Sequence, residues 1–181
     1  MKPTEDLKHE HEVILLVLTR LEPAEETPQV DAAWLEQFVD LSRVFIDRCH
    51  HGKEERLLIP RMHERGISAD DRAIYFTLRE HEQGRALVRA IAEALPGAQA
   101  GQAEALAAAR DSLQQYGHLL QGHIRKEHEV LFPMADGVFT AADQVELEAA
   151  FEKLEAEEIG AGVHEKYHHL AHELAGRDEE G

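Results

Sequence analysis

Apolar positions along this chain recur three and four residues apart, and no stretch alternates apolar with polar residues over more than a few positions, so helices are expected and strands are not. A first helix is predicted from Thr4 to about Glu22, with an inward stripe of His11, Ile14, Leu15, Leu18 and Leu21 ahead of a linker from Pro23 to Pro28. A second, from Asp31 to about Glu64, carries Leu35, Val39, Ile46, His50, Glu54 and Leu57 along one side, with Pro60 bending or ending it. A third, from Asp70 to Leu95, presents Ile74, Leu78, His81, Val88 and Ile91 before Pro96-Gly97 stops it. The fourth, from about Gln102 to Met134, presents Leu106, Leu113, Tyr116, Leu120, His123, Glu127 and Leu131. Four amphipathic helices with short polar connections predict an all-α fold, an antiparallel up-down four-helix bundle over residues 1–138. Residues 139–181 read as a C-terminal helical extension packed on the bundle: a helix to about Glu158, a break at Gly160-Ala161-Gly162, and a shorter helix around His164 to Leu174.

Charge narrows the partners. Lys and Arg number 19 against 36 Asp and Glu, a formal charge of −17 over 181 residues. Such a surface repels nucleic-acid phosphates and anionic lipid headgroups and favours cations, so neither nucleic acid nor a membrane is an expected partner. The longest apolar run, Val13 to Leu18, is far shorter than a bilayer span, and the N-terminus lacks the apolar core of a signal peptide; a cytoplasmic protein is expected. The single cysteine, Cys49, excludes an internal disulfide and a four-cysteine zinc site. Histidine is the anomaly: 13 residues, about three times its usual share, and none of them in a terminal tag of consecutive histidines.

Those histidines fall in a repeat. The segment His50-His51-Gly52-Lys53-Glu54-Glu55-Arg56-Leu57-Leu58-Ile59-Pro60 aligns without a gap with His123-Ile124-Arg125-Lys126-Glu127-His128-Glu129-Val130-Leu131-Phe132-Pro133, sharing His, Lys, Glu, Leu and Pro. Glu10-His11-Glu12 likewise aligns with Glu80-His81-Glu82 in the preceding helix of each half. Each half thus supplies one His and then His-x-x-x-Glu. Residues four apart share a helical face, so the two halves bring four imidazoles and two carboxylates to one level of the core. Without a cation such a burial costs many kcal/mol. A pair of metal ions resolves it: one held by His11 and His50, the other by His81 and His123, with Glu54 and Glu127 bridging. Imidazole and carboxylate ligands without thiolate suit iron, with manganese or zinc behind it.

The repeat also sets register. His9 pairs with Arg79 whereas His11 pairs with His81, so His11 is the inward residue. His51 and Glu55 have the ligand spacing too, but their counterparts, Ile124 and His128, cannot repeat it; they are supplementary candidates only. His51, His63, His118 and His128 are expected to be structural. Tyr116, two turns before His123, is a candidate for contacting a small ligand at the metals, and Gly84 either opens a path to them or marks a close helix contact. The His164, His168 and His172 face of the tail is expected to be solvated.

At these segments the chain resembles the hemerythrin-like, or HHE cation-binding, domain over about residues 5 to 135. The resemblance implies a four-helix bundle holding two iron ions in an oxo- or hydroxo-bridged non-haem centre. It further implies a small-molecule partner, dioxygen, hydrogen peroxide or nitric oxide, with catalase-like peroxide consumption as one outcome and an iron- or oxygen-responsive regulatory or storage module without turnover as the alternative. Oxygen-carrying members place a second histidine four residues after the third-helix ligand, where this chain has Arg85, and end on His-x-x-x-x-Asp, where it has His123-x-x-x-Glu127. The variant pattern resembles members associated with peroxide or nitric oxide chemistry and iron sensing.

Overall fold

The computed structural model describes residues 2–21, 27–160 and 162–176, and they are helical with no strand among them. Helix α1 covers Pro3–Leu18 and closes on a 3₁₀ turn, Thr19–Leu21. Helix α2 is continuous over residues 32–64, α3 spans Arg72–Gln99, and α4 is continuous over residues 103–138. Two further helices follow, α5 (Ala141–Glu158) and α6 (Val163–Leu174). Most of the expected linker from Pro23 to Pro28 lies outside the described residues.

The up-down order follows from two apolar clusters. One contains Ile14 and Leu18 of α1, Leu35 and Ile46 of α2, Val88 and Ile91 of α3, and Leu113 and Leu120 of α4. The other contains Leu7, Leu58 and Met62, Ile74, and Leu131 and Phe132. The chain therefore passes from the second cluster to the first along α1, back along α2, forward along α3 and back along α4. Between the clusters every helix crosses one polar level, marked by His11, His50 with Glu54, His81, and His123 with Glu127, all buried. This is the all-α antiparallel bundle that the apolar spacing predicted.

Three segments of these helices depart from plain α-helix. In α2 the segments Ser42–His51 and Glu54–Leu58 are π-helical, and in α4 the segment Glu127–Leu131 is as well. The second and third occupy equivalent positions in the repeat, and each immediately precedes an α segment with proline in its first turn, Pro60 and Pro133. Proline has no N–H for the carbonyl four residues back and its ring crowds that carbonyl. The helix responds by widening, so that Ile59 N–H bonds to the Glu54 carbonyl and Phe132 N–H to that of Glu127. Pro60 thus neither ends nor breaks α2, and Leu58, the counterpart of Leu131, is fully buried instead of Leu57.

Other expectations are corrected. Pro96-Gly97 does not stop α3, which continues to Gln99. Helix α4 reaches Val138 rather than Met134. Leu15 is 37% exposed, while Val13 and Val17 take the inward positions of α1. Gly84 opens no path: a Cβ there would lie 3.0 Å from the Tyr116 ring, so the glycine makes room for a close contact between α3 and α4.

The C-terminal helices pack on α1 and α2. Leu147 and Phe151 of α5 join one apolar cluster; Tyr167, Ala171 and Leu174 of α6 join the other. A charged clasp fixes the start of α5. Thr140 and Asp143 form a capping box, and the Asp143 carboxylate also accepts from Arg61 (2.5 Å) and Arg65 (2.6 and 2.8 Å) of the end of α2. The Arg65 guanidinium, with Thr140 and Arg61, holds the Asp143 carboxyl well below the usual carboxylate range. A depressed carboxyl stabilises the fold above its unfolded value of about 4 and loses that contribution as the pH falls toward the native value. Asp143→Asn should therefore lower the melting temperature by a few degrees at neutral pH, and the gap from wild type should shrink as the pH is taken below about 4. Thermal melts across that range check it.

Candidate metal centre

The polar level gathers ten side chains in two rings. In the inner ring, His11 and His50 face each other with centroids 4.4 Å apart, and His81 and His123 with centroids 4.8 Å apart. Each glutamate directs one oxygen to each pair. Glu54 Oε1 lies 3.7 Å from His50 Nε2 and Oε2 3.3 Å from His81 Nε2. Glu127 Oε2 lies 3.2 Å from His11 Nε2 and Oε1 3.0 Å from His123 Nε2. Because the two carboxylates come from equivalent turns of α2 and α4, each joins an imidazole of its own half to one of the other half.

These contacts are close but not aligned as hydrogen bonds. Both oxygens of Glu54, both of Glu127, and the Nε2 atoms of His11 and His50 are sealed from solvent with no hydrogen-bond partner. The Nε2 atoms of His81 and His123 lie 3.1 Å apart. Buried polar atoms are nearly always paired, and an orphan costs about 1–3 kcal/mol, more when charged. Here the orphans are concentrated at one point, with lone pairs converging on the space between the rings. Burial and the neighbouring Glu127 push the Glu54 carboxyl up, since two carboxylates this close resist both being ionised. Burial also acts to raise the Glu127 carboxyl, but the surrounding His123, His11 and His81 outweigh it and hold the group well below its ordinary range. Burial and the His50 charge bring His11 down to about 4, which keeps that ring neutral and its lone pair available.

The outer ring fixes the imidazoles. His50 Nδ1 is 2.8 Å from Glu10 Oε2, and His123 Nδ1 is 2.9 Å from Glu80 Oε2. Glu10 accepts from Lys53, and Glu80 from Lys126. Every member of this pair of relays is a repeat partner of the other. His81 Nδ1 is 2.7 Å from Glu55 Oε1, and His11 Nδ1 is 2.8 Å from His128 Nε2, again at equivalent positions. With all four Nδ1 atoms held outward, all four Nε2 atoms point inward. This arrangement, an imidazole whose far nitrogen is held by a carboxylate, is what orients histidine as a metal ligand.

Two groups of potential ligands result, each with one ligand atom per residue and all of those atoms within 4.8 Å of one another: His11, His50, Glu54 and Glu127; and His51, Glu54, His81 and His123. The six residues singled out by the repeat converge. His51 is the addition. It was expected to be structural, with ligation only a supplementary possibility, yet it is buried, stacked on His81 at 3.8 Å, and its Nδ1 is unpartnered. The signal was its own spacing to Glu55; the missing counterpart at Ile124 argued against it. His128 and Glu55 were also undervalued, because their function is to hold rings on other helices. Tyr116 lies farther out, packed on Gly84 and Phe38, with its hydroxyl toward Ser42.

The tail is not simply solvated. His164 Nε2 approaches Glu10 Oε1 at 3.4 Å, Glu155 meets Lys53 Nζ at 2.5 Å, and His168 sits edge-on to Phe45. An expectation that the chain holds no His-Glu-x-x-His, the pattern of zinc proteases, is corrected here, because His164-Glu165-Lys166-Tyr167-His168 is one. With His164 turned to Glu10 and His168 to Phe45, the two rings join no group of potential ligands among the described residues.

Residues 2–135 match the hemerythrin HHE cation binding domain, and the chain belongs to that family. A bound metal cation follows from membership, and the converging donors fit one. Uncharacterized proteins of Mycobacterium tuberculosis and Mycobacterium bovis are each 27% identical over 163 residues, 86% of this chain. The chain spans 62% of the length of these curated relatives. No solved structure gives a significant match. No helix among the described residues is long and apolar enough to cross a membrane.

Two outcomes follow. Stripping metal should lower the melting temperature of the wild type by about 10 °C or more, whereas metal-stripped Glu54→Gln/Glu127→Gln should melt above metal-stripped wild type, because it no longer buries opposed carboxylates. Glu80→Gln, which leaves every inner donor in place, should speed metal loss to a chelator by about 10- to 100-fold.

Proposed function

We propose that this chain is a non-haem di-iron protein whose centre meets a small oxygen species, peroxide first, with dioxygen and nitric oxide as related ligands. The observation that carries the reading is the bridging disposition of Glu54 and Glu127, each with one unpartnered oxygen toward each imidazole pair. One ion would be held by His11 and His50, the other by His81 and His123, with both glutamates shared. An all-nitrogen and oxygen donor set of this kind, in a bundle core, suits iron better than thiolate-seeking metals.

Iron held there supplies the redox electrons for reaction with peroxide or dioxygen. The protein contributes geometry, charge and exclusion of water. Glu10, Glu80 and Glu55 take the outward ring protons of His50, His123 and His81, which makes the inward nitrogens better donors. Lys53 and Lys126 neutralise two of those carboxylates, so the relay adds no net charge of its own. Phe132 stacks on His11 at 5.6 Å and walls one side against water. Where the resemblance would place a further imidazole this chain has Arg85, and His51 of α2, stacked on His81, would supply a third imidazole on that side instead.

Purification with iron tests the reading. About two iron atoms per chain and a near-ultraviolet charge-transfer band are expected; fewer than about one iron, with no such band, rejects it. Added peroxide should release gas at a rate abolished by His50→Ala and by Glu127→Ala. An iron-loaded protein that releases none, yet gains helicity or a higher melting point on loading, would instead be a metal-responsive regulatory or storage module.

A further inference from the structure

A cavity of about 170 Å³ opens between α2, α3 and α4 beside the His51 ring, and its lining is out of keeping with so acidic a chain. Three arginines surround it: Arg43 and Arg89 at the exposed rim and the half-buried Arg85 deeper in. The one carboxylate in the wall, Asp47, accepts from Arg85 Nε at 2.8 Å, and the other Arg85 nitrogens go to Glu55 and Glu82. Two polar atoms in the same lining, Ser42 Oγ and His51 Nδ1, are sealed from solvent and make no hydrogen bond, although Asp47 Oδ1 lies 3.5 Å from His51 Nδ1. The Tyr116 hydroxyl, turned toward Ser42, completes the inner wall.

We infer that this cavity is a binding site for a small carboxylate-like oxyanion, of the size of formate or nitrite, seated beside the metal centre. The chemistry of recognition is on the lining. Guanidinium groups present a planar fork that matches a planar oxyanion, and the buried Ser42 and Tyr116 hydroxyls supply further donors. The volume admits several non-hydrogen atoms and excludes large ligands. Position gives the site its consequence, since His51 in the cavity wall stacks on His81 and itself belongs to one group of potential ligands. The repeat explains why the site exists on one side only. Its counterpart position on α4 is Ile124, which offers neither a polar wall nor a ring to stack on a ligand imidazole. Arg85, at the position where oxygen-carrying relatives keep a further imidazole, ties this lining to Glu55 and through it to His81.

The inference rests on the donor cluster holding a metal but not on that metal being iron, so it is tested on protein loaded with iron and, separately, with zinc. Sodium formate is titrated by calorimetry, with circular dichroism and metal content as controls. Saturable binding of one formate per chain with a dissociation constant of about 1 mM or tighter is expected in both preparations. Arg43→Gln/Arg89→Gln, both on the surface, should weaken it at least about tenfold while helicity and metal content stay unchanged. Ser42→Ala should weaken it by a smaller factor. In the iron form, formate should also shift the absorption bands. No saturable uptake up to about 50 mM would overturn the inference, as would binding that the double variant leaves intact, which would put the anion on the metals themselves.

Discussion

Everything in this structure turns on two glutamates that the fold seals from water without giving either a hydrogen-bond donor. Burying a carboxylate costs several kcal/mol even after relaxation, and burying two within reach of the same imidazoles compounds it. No side chain among the described residues supplies the missing partner, and the cation that family membership implies would do so. The bundle is organised around that requirement, with an apolar cluster above and below the polar level. The π-helical turns belong to the same requirement. Two of the three begin at Glu54 and Glu127 themselves, and the prolines that follow these two keep the backbone from relaxing into a regular α-helix.

The outer ring shows how a duplicated sequence becomes a two-sided site. Glu10 with Lys53 and Glu80 with Lys126 are the same device used twice, each holding the histidine that its own half supplies from the next helix. Symmetry is then broken at three positions. Glu55 has His128 as its repeat counterpart, His51 has Ile124, and Arg85 braces the side that has both Glu55 and His51. The two metal positions proposed for this centre would consequently differ in charge, in the number of nearby imidazoles and in access, although their inner ligands match residue for residue.

The family match ends at residue 135, yet the chain beyond it reaches the outer ring. Lys53, fully buried, is surrounded by Asp6, Glu10 and Glu155, and His164 approaches the same glutamate from α6. A segment that in isolation looks like a solvated helix therefore contributes to the electrostatic surroundings of His50. Its docking is held by the Asp143 clasp at one end and by Tyr167, bonded to Asp40, at the other.

Much of this was legible in the sequence because the information is local or repeated. Apolar residues three and four apart gave the four bundle helices, and the alignment of His50–Pro60 with His123–Pro133 distinguished His11 from its exposed neighbour His9 before any coordinate was known. Register after Glu54 was misjudged at Leu57 because spacing rules assume an unbroken α-helix, and the widened turn moves the buried face to Leu58. The amino-acid order by itself determined the helices, the inward residues and the chemistry of the donors, since these depend on side-chain type and on periodicity along one chain. Only the tertiary structure decided that Glu55 and His128 would hold rings on other helices, that His51 would stack on His81, and that His164 would turn from solvent to Glu10. Those outcomes depend on the rotation and separation of neighbouring helices, quantities fixed by packing across the bundle that no spacing within a single helix encodes.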